Sequence, residues 1–201
     1  MSQMAILNFS IAGKSVIGNV TKDGSGEIGH VLSLAAAEAG TLTTRTSASV
    51  GTITMGSESH TIETGDTIDI FWTGGFRYGV TVGTVSTTSV PFTGGSGDDL
   101  PAAETTVTVT QKTVIDTDVN GNKIEMFAAV NSARGHIIWM DSNGVETHEA
   151  ELLAAEPHFF VADSGQTNPL ADAGIDAVHV SQASSAAVST FTLGIAYNSD
   201  E

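Results

Sequence analysis

The chain contains no cysteine, which excludes disulfides, thiolate metal sites and cysteine nucleophiles. Basic residues are nearly as scarce. Seven Lys and Arg stand against 23 Asp and Glu, a formal charge of −16 over 201 residues. Lys14, Lys22, Arg45, Arg77, Lys112, Lys123 and Arg134 are scattered and form no patch along the chain. Neutralisation of a phosphate backbone, and with it specific nucleic-acid binding, is therefore not expected. An acidic surface instead favours solubility and repels nucleic acid. Aromatic residues make up only 6% of the chain, few for stacking on sugar faces. No apolar run approaches the ~18 residues that carry a helix across a bilayer. The opening MSQMAILNFSIAGKSVIG lacks the basic and continuous apolar regions of a signal peptide. Synthesis in a cytoplasm, without a membrane partner, is the expectation, and the sequons at Asn8 and Asn19 are then expected to stay bare.

Thr, Ser, Gly and Ala fill the space left by charge, which is 15% against roughly 25% in an average globular chain. That mixture suits pleated strands joined by tight turns rather than long surface helices. Residues 4–21 read as a hairpin turning at Ala12-Gly13-Lys14, followed by a loop over Lys22–Gly29. His30–Ala39 reads as a strand, alternating over Leu32-Ser33-Leu34, followed by a short turn, with a helix over Ala35–Ala39 ended by Gly40 as the alternative, and Thr41–Met55 as one or two Thr-rich strands. Ile68, Ile70 and Trp72 alternate, Thr73-Gly74-Gly75 turns the chain, and Tyr78, Val80 and Val82 return it. With Ser89–Phe92 these form a meander. Gly94–Ala103, rich in glycine, is the expected linker. Beyond it, Thr105–Thr113 is a strand, and Val114–Phe127 reads as a hairpin over Asn120-Gly121. A second hairpin turns at Asp141–Gly144. Glu149–Glu156 reads as two helical turns, His158–Val161 and Ala177–Val180 as strands, and Thr190–Tyr197 as the closing strand. The expected fold is mainly β, an antiparallel β-sandwich or small barrel with little helix. Two β-rich units are expected, over 1–100 and 101–201, with one continuous sandwich as the alternative.

Asp116-x-Asp118-x-Asn120-Gly121 matches the front half of a calcium loop, in which oxygen ligands at alternate positions wrap a hard cation. The twelfth position is Phe127 where that loop needs a bidentate Glu, so an Asn-Gly hairpin is the preferred reading. The six histidines make no helical zinc pair. The nearest approach is His148-Glu149 followed by His158. Gly-x-Ser-x-Gly is absent, and neither glycine-rich run carries the lysine and following helix of a phosphate-binding loop. Asp98-Asp99 pair in sequence but sit in the expected linker. No catalytic residue, cofactor or metal is therefore assigned, and an enzyme is not expected. Trp72 and Trp139 lie inside apolar strands and read as core. Phe76, Arg77 and Tyr78 flank a turn and are the candidate exposed contact patch.

The stretch Ile68–Val85, IDIFWTGGFRYGVTVGTV, with Ser89-Val-Pro-Phe92, Gly94–Pro101 and Thr167-Asn-Pro-Leu170 ahead of the Thr190–Tyr197 strand, resembles short proteins of tailed phages and prophage regions. The resemblance spans the middle third and the end of the chain. It implies a virion structural role and carries over no functional residue. The expected function is a capsid decoration (cement) protein that stabilises a head by subunit packing, with itself and the major capsid or tail proteins as partners and the virion as location. A phage tail or tail-tube component is the alternative within that class. A glycan- or receptor-binding β-module is the alternative outside it, and it requires an exposed aromatic platform.

Overall fold

The computed structural model describes residues 3–11, 14–22, 25–116, 123–141, 143–161, 175–183 and 188–198. Among these residues there are sixteen β-strands and no helix. The first nine strands are β1 (Gln3–Ile11), β2 (Lys14–Lys22), β3 (Ser25–Leu34), β4 (Glu38–Arg45), β5 (Val50–Met55), β6 (Thr67–Trp72), β7 (Gly75–Val82), β8 (Ser89–Gly97) and β9 (Thr105–Gln111). The rest are β10 (Thr113–Asp116), β11 (Lys123–Asn131), β12 (Gly135–Asp141), β13 (Glu146–Leu152), β14 (His158–Val161), β15 (Ile175–Gln182) and β16 (Ser189–Asn198). The mainly-β expectation therefore holds, with both sandwich and barrel present.

The chain divides into two compact units. Unit 1 comprises Met1–Leu34, Thr113–Val180 and Val188–Glu201, and unit 2 comprises Ala35–Lys112 and Ser181–Ala187. This differs from the expected boundary at 100/101. Leu100 is buried in the core of unit 2, and β9 pairs with both β4 and β6, so residues 101–111 belong with the strands before them. The expected linker is also absent as such, because Ser89–Gly97 is strand β8, paired with β5 and β7. Glycines that read as flexible spacing instead let the backbone run close to its neighbour. Gly95 sits at φ +72°, and a Cβ there would lie 2.5 Å from the Tyr78 carbonyl oxygen.

Unit 2 is a closed six-stranded barrel in the order β4-β5-β8-β7-β6-β9. Closure removes the unpaired edges that an open sheet exposes. Its core draws Leu42, Ile53, Ile68, Ile70, Val80, Val82, Val90, Phe92, Val107 and Val109 from all six strands. Burial of each such side chain favours folding by about 1.5–3 kcal/mol.

Unit 1 holds two four-stranded sheets, β10-β15-β12-β13 and β14-β11-β16-β3, with the β1–β2 hairpin as a separate ribbon. Ile137, Trp139, Leu152, Val178 and Val180 of the first sheet share one core with Leu34, Phe127, Phe191, Leu193 and Ile195 of the second. That shared core is what makes the pair a sandwich. The expected 4–21 hairpin is there, registered from Gln3↔Lys22 to Ile11↔Lys14.

Three local expectations change in unit 1. The segment expected as loop over Lys22–Gly29 contributes Ser25–Gly29 to β3, where Gly26 faces Tyr197 and Gly29 faces Gly194 across the ladder. Glu149–Glu156 is not helical. β13 runs through Leu152 against β12, and exposed Glu149 and Glu151 alternate with Ala150 and buried Leu152, a period of two. Finally, β10 and β11 do not form a hairpin with each other. β10 pairs with β15, whereas β11 pairs with β14 and β16 in the other sheet.

Candidate functional site

The calcium candidate lies largely outside the described residues. Asp116 ends β10, and Asp118 and Asn120 fall within the undescribed 117–122. Among the described residues, no group of three or more His, Asp or Glu is placed to hold a metal ion.

The proposed contact patch turns inward. Arg77 is only 8% exposed and Tyr78 is buried, while Phe76 is half-buried and stacks between Phe71 and Tyr78 at ring separations of 6.2 and 6.1 Å. The Arg77 guanidinium donates from Nε to the Gly94 carbonyl at 2.7 Å, from Nη2 to Gly95 at 2.7 Å and from Nη1 to Asp98 at 2.8 Å. The planar, always-charged fork fits three carbonyls that curl around it. It is thus a clamp on the end of β8 and not a surface contact. The positive-φ glycines of β8 had suggested a spacer, so the sequence held no sign of what Arg77 would grip.

A second buried charge was not singled out from sequence. Asp69 lies between Ile68 and Ile70, where alternation would turn it to solvent. However, Ile68–Phe71 are buried at four successive positions, and the β6–β7 register slips between Ile68 and Ile70. The carboxylate accepts hydrogen bonds from Ser181 Oγ at 2.6 Å and the Gly79 amide at 2.9 Å, with Lys112 Nζ at 3.7 Å. Lys112 in turn lies 6.0 Å from the centre of the Tyr78 ring. These contacts tie Ser181, from the far end of the chain, into the barrel unit. All are consistent with holding structure together, because every oxygen of the carboxylate already has a donor.

The tryptophans are core or half-buried. Trp139 is fully buried, 4.9 Å from the Phe127 ring, and Trp72 packs partly buried against the barrel core. Trp139 therefore offers no ring face for a sugar to stack on.

The histidines separate into distinct environments. His60 Nε2 is 2.7 Å from the Thr87 carbonyl, and His136 Nε2 lies 3.6 Å from Glu149 Oε2. The structure brings together His148 of β13 and His158 of β14. Their rings stack at 5.9 Å with planes 16° apart, and His158 also meets Phe127 at 5.4 Å. Burial pushes both imidazoles below their ordinary range. At His148 the neighbouring Glu149 opposes that shift, and at His158 the positive form of His148 reinforces it. Sequence spacing identified these two as the nearest approach among the histidines, but nothing local said that they belong to different sheets.

Four strands border the unit 1 sheets. β3 and β14 bound one sheet, and β10 and β13 bound the other. These borders differ in charge. β13, ETHEAEL, carries Glu146, Glu149 and Glu151, whereas β3, SGEIGHVLSL, has Glu27 as its only acidic residue and no Lys, Arg or Pro over ten residues. Val31 of β3 is 74% exposed and Phe159 of β14 is 57% exposed.

No family model, curated protein or solved structure matches this chain.

Proposed function

We propose that this chain is a virion structural protein, a capsid decoration (cement) protein that works by packing against neighbouring subunits. It has no catalytic step and needs no cofactor. The observation that carries the reading is the long, almost uncharged border strand β3 with Val31 open to solvent, in a chain of net charge −16. Soluble proteins ordinarily blunt such edges with charge, proline or short length, as β13 is blunted by its carboxylates. An unblunted edge gives a neighbouring chain main-chain hydrogen bonds to complete and an apolar side chain to cover. Between two acidic copies, contact is least opposed where carboxylates are fewest. The rest of the acidic surface discourages adhesion to packaged nucleic acid. Full burial of Trp139 and the engagement of Arg77 in the clamp speak against the aromatic platform that the glycan-binding alternative requires.

Light scattering of the purified chain over a range of concentrations, with negative-stain images of the same peak, tests the reading. Closed homo-oligomers that Val31→Lys dissociates, with the β-rich circular dichroism unchanged, are expected. Stacked rings or tubes would shift the assignment to the tail. A monomer at every concentration, indifferent to Val31→Lys, would overturn assembly through this edge.

A further inference from the structure

β13 and β14 are border strands of opposite sheets in the unit 1 sandwich, and they are consecutive in the chain. Among the described residues no main-chain pairing joins them, and His148 and His158 meet between them, ring on ring. Behind them, Phe127 contacts both His158 and Trp139, so the pair is the outermost layer of an aromatic stack reaching the centre of the core. The Nε2 atom of each histidine is buried and has no hydrogen-bond partner among the described residues. An apolar stack accommodates neutral rings in this arrangement. An imidazolium there has a buried N–H without an acceptor and, beside a second imidazolium, a like charge at ring-contact distance.

The connection between the strands is itself under tension. Ala155 is held at φ +57°, with its amide donating to the Asn131 carbonyl at 2.8 Å. A non-glycine residue in this left-handed region is disfavoured, and it persists only while its surroundings hold it. β14 is also short, four residues paired on one side with Met126–Ala129.

We propose that the His148–His158 stack is an acid-sensitive latch of unit 1, holding β14 against the sandwich while both rings are neutral and releasing it when protons are taken up. Release uncovers the Phe127–Trp139 end of the core. The charged and titratable groups on the elements around the pair are Glu146, Glu149 and Glu151 of β13, His136 and Asp141 of β12, Lys123 and Glu125 of β11, and Glu156 of the connection. Glu149 favours the protonated form of His148, but burial outweighs it. Glu151 is engaged by Arg134. The sign follows from linkage. Above the ordinary histidine value of about 6.5, folded and unfolded chains are both neutral at these rings, and nothing is lost. As the pH falls below that value the unfolded chain takes up protons that the folded one resists, so the latch weakens toward acid. The two sites are coupled, and the second proton is opposed by the first. This inference does not depend on a virion role.

Hydrogen exchange of the full chain, followed by mass spectrometry at pH 7.5 and pH 5.0 and corrected for the intrinsic rate, reads the latch directly. Peptides covering β14 and its partner in β11 are expected to lose protection severalfold at the lower pH, while the barrel strands β4–β9 hold theirs. In a His148→Phe/His158→Phe protein, which keeps two stacked rings without the titration, that loss is expected to vanish. A pH response that survives in the double variant, or one spread equally over the barrel, would overturn the proposal. Should the double variant not fold, nuclear magnetic resonance titration of the wild-type imidazoles decides. Both rings are expected to stay neutral below the ordinary histidine range, and protonation at or above it sinks the latch.

Discussion

Replacing Arg77 by Met removes the guanidinium while keeping much of the side chain's length, and so isolates the clamp on β8. Three hydrogen bonds from a charged donor are lost together, to the carbonyls of Gly94, Gly95 and Asp98. Bonds to a charged group are each worth about 1.5–3 kcal/mol in mutational series, and neighbours sharing one donor do not add. The three carbonyls belong to residues that are half-buried or exposed, so water recovers part of the loss. Burying a guanidinium also carries a desolvation cost that the methionine escapes. The expected net destabilisation of the barrel unit is therefore about 2–4 kcal/mol. It is measurable as a drop in the urea midpoint of Trp72 fluorescence, with Trp139→Phe in both proteins so that the barrel alone reports. Arg77→Lys is expected to recover less than half, because an ammonium on a flexible stem cannot satisfy three divergent carbonyls in one plane. A loss under about 0.5 kcal/mol, the range of ordinary surface substitutions, would refute the clamp. Full rescue by lysine would show that only the positive charge matters.

Other tests probe the turns of unit 1. Ala155→Gly relieves the residue held at φ +57° and loosens the unfolded chain, so a small net change is expected, a gain of up to about 1 kcal/mol in thermal or urea unfolding. A loss larger than that would mean that the alanine methyl makes a contact worth more than the strain. The β12–β13 hairpin is capped by Asp141, whose Oδ1 accepts hydrogen bonds from the amides of Val145 at 2.8 Å and Asn143 at 2.9 Å. The Val145 amide, chiefly, holds this carboxyl below its ordinary value of 3.8. Its contribution is therefore fully present above that value and is lost as pH falls through the lower folded value. Carbon-detected titration should find Asp141 taking up its proton below the ordinary carboxyl value of 3.8. An ordinary value for Asp141 would remove the cap.

Much of the local structure was legible. The 4–21 and 141–144 hairpins, the Ile68–Phe92 meander and the Thr190–Tyr197 strand all follow from alternation of period two and from turn chemistry, which act between near neighbours. Glycine was where reading failed. The letters Gly94-Gly95-Ser96-Gly97 describe a flexible spacer and a strand with left-handed φ equally well, and only Tyr78 and Arg77 opposite them choose between the two. The same ambiguity hid Ser25–Gly29 within a loop. Arg77 looked like a surface residue because arginine next to a turn usually is one. Its burial depends on three carbonyls seventeen to twenty-one positions away.

By itself the sequence determined the β class, the freedom from thiol chemistry and the strongly acidic surface, since these depend on composition and on the sum of charges, whatever the fold. Only the tertiary structure decided that one unit interrupts the other, that the barrel closes through β4 and β9, that Asp69 meets Ser181, and that His148 stacks on His158 across two sheets. Each of these pairs segments by shape and burial after the chain has turned back on itself. Strands of similar Thr- and Val-rich composition offer many acceptable partners locally, and long-range packing is what selects among them.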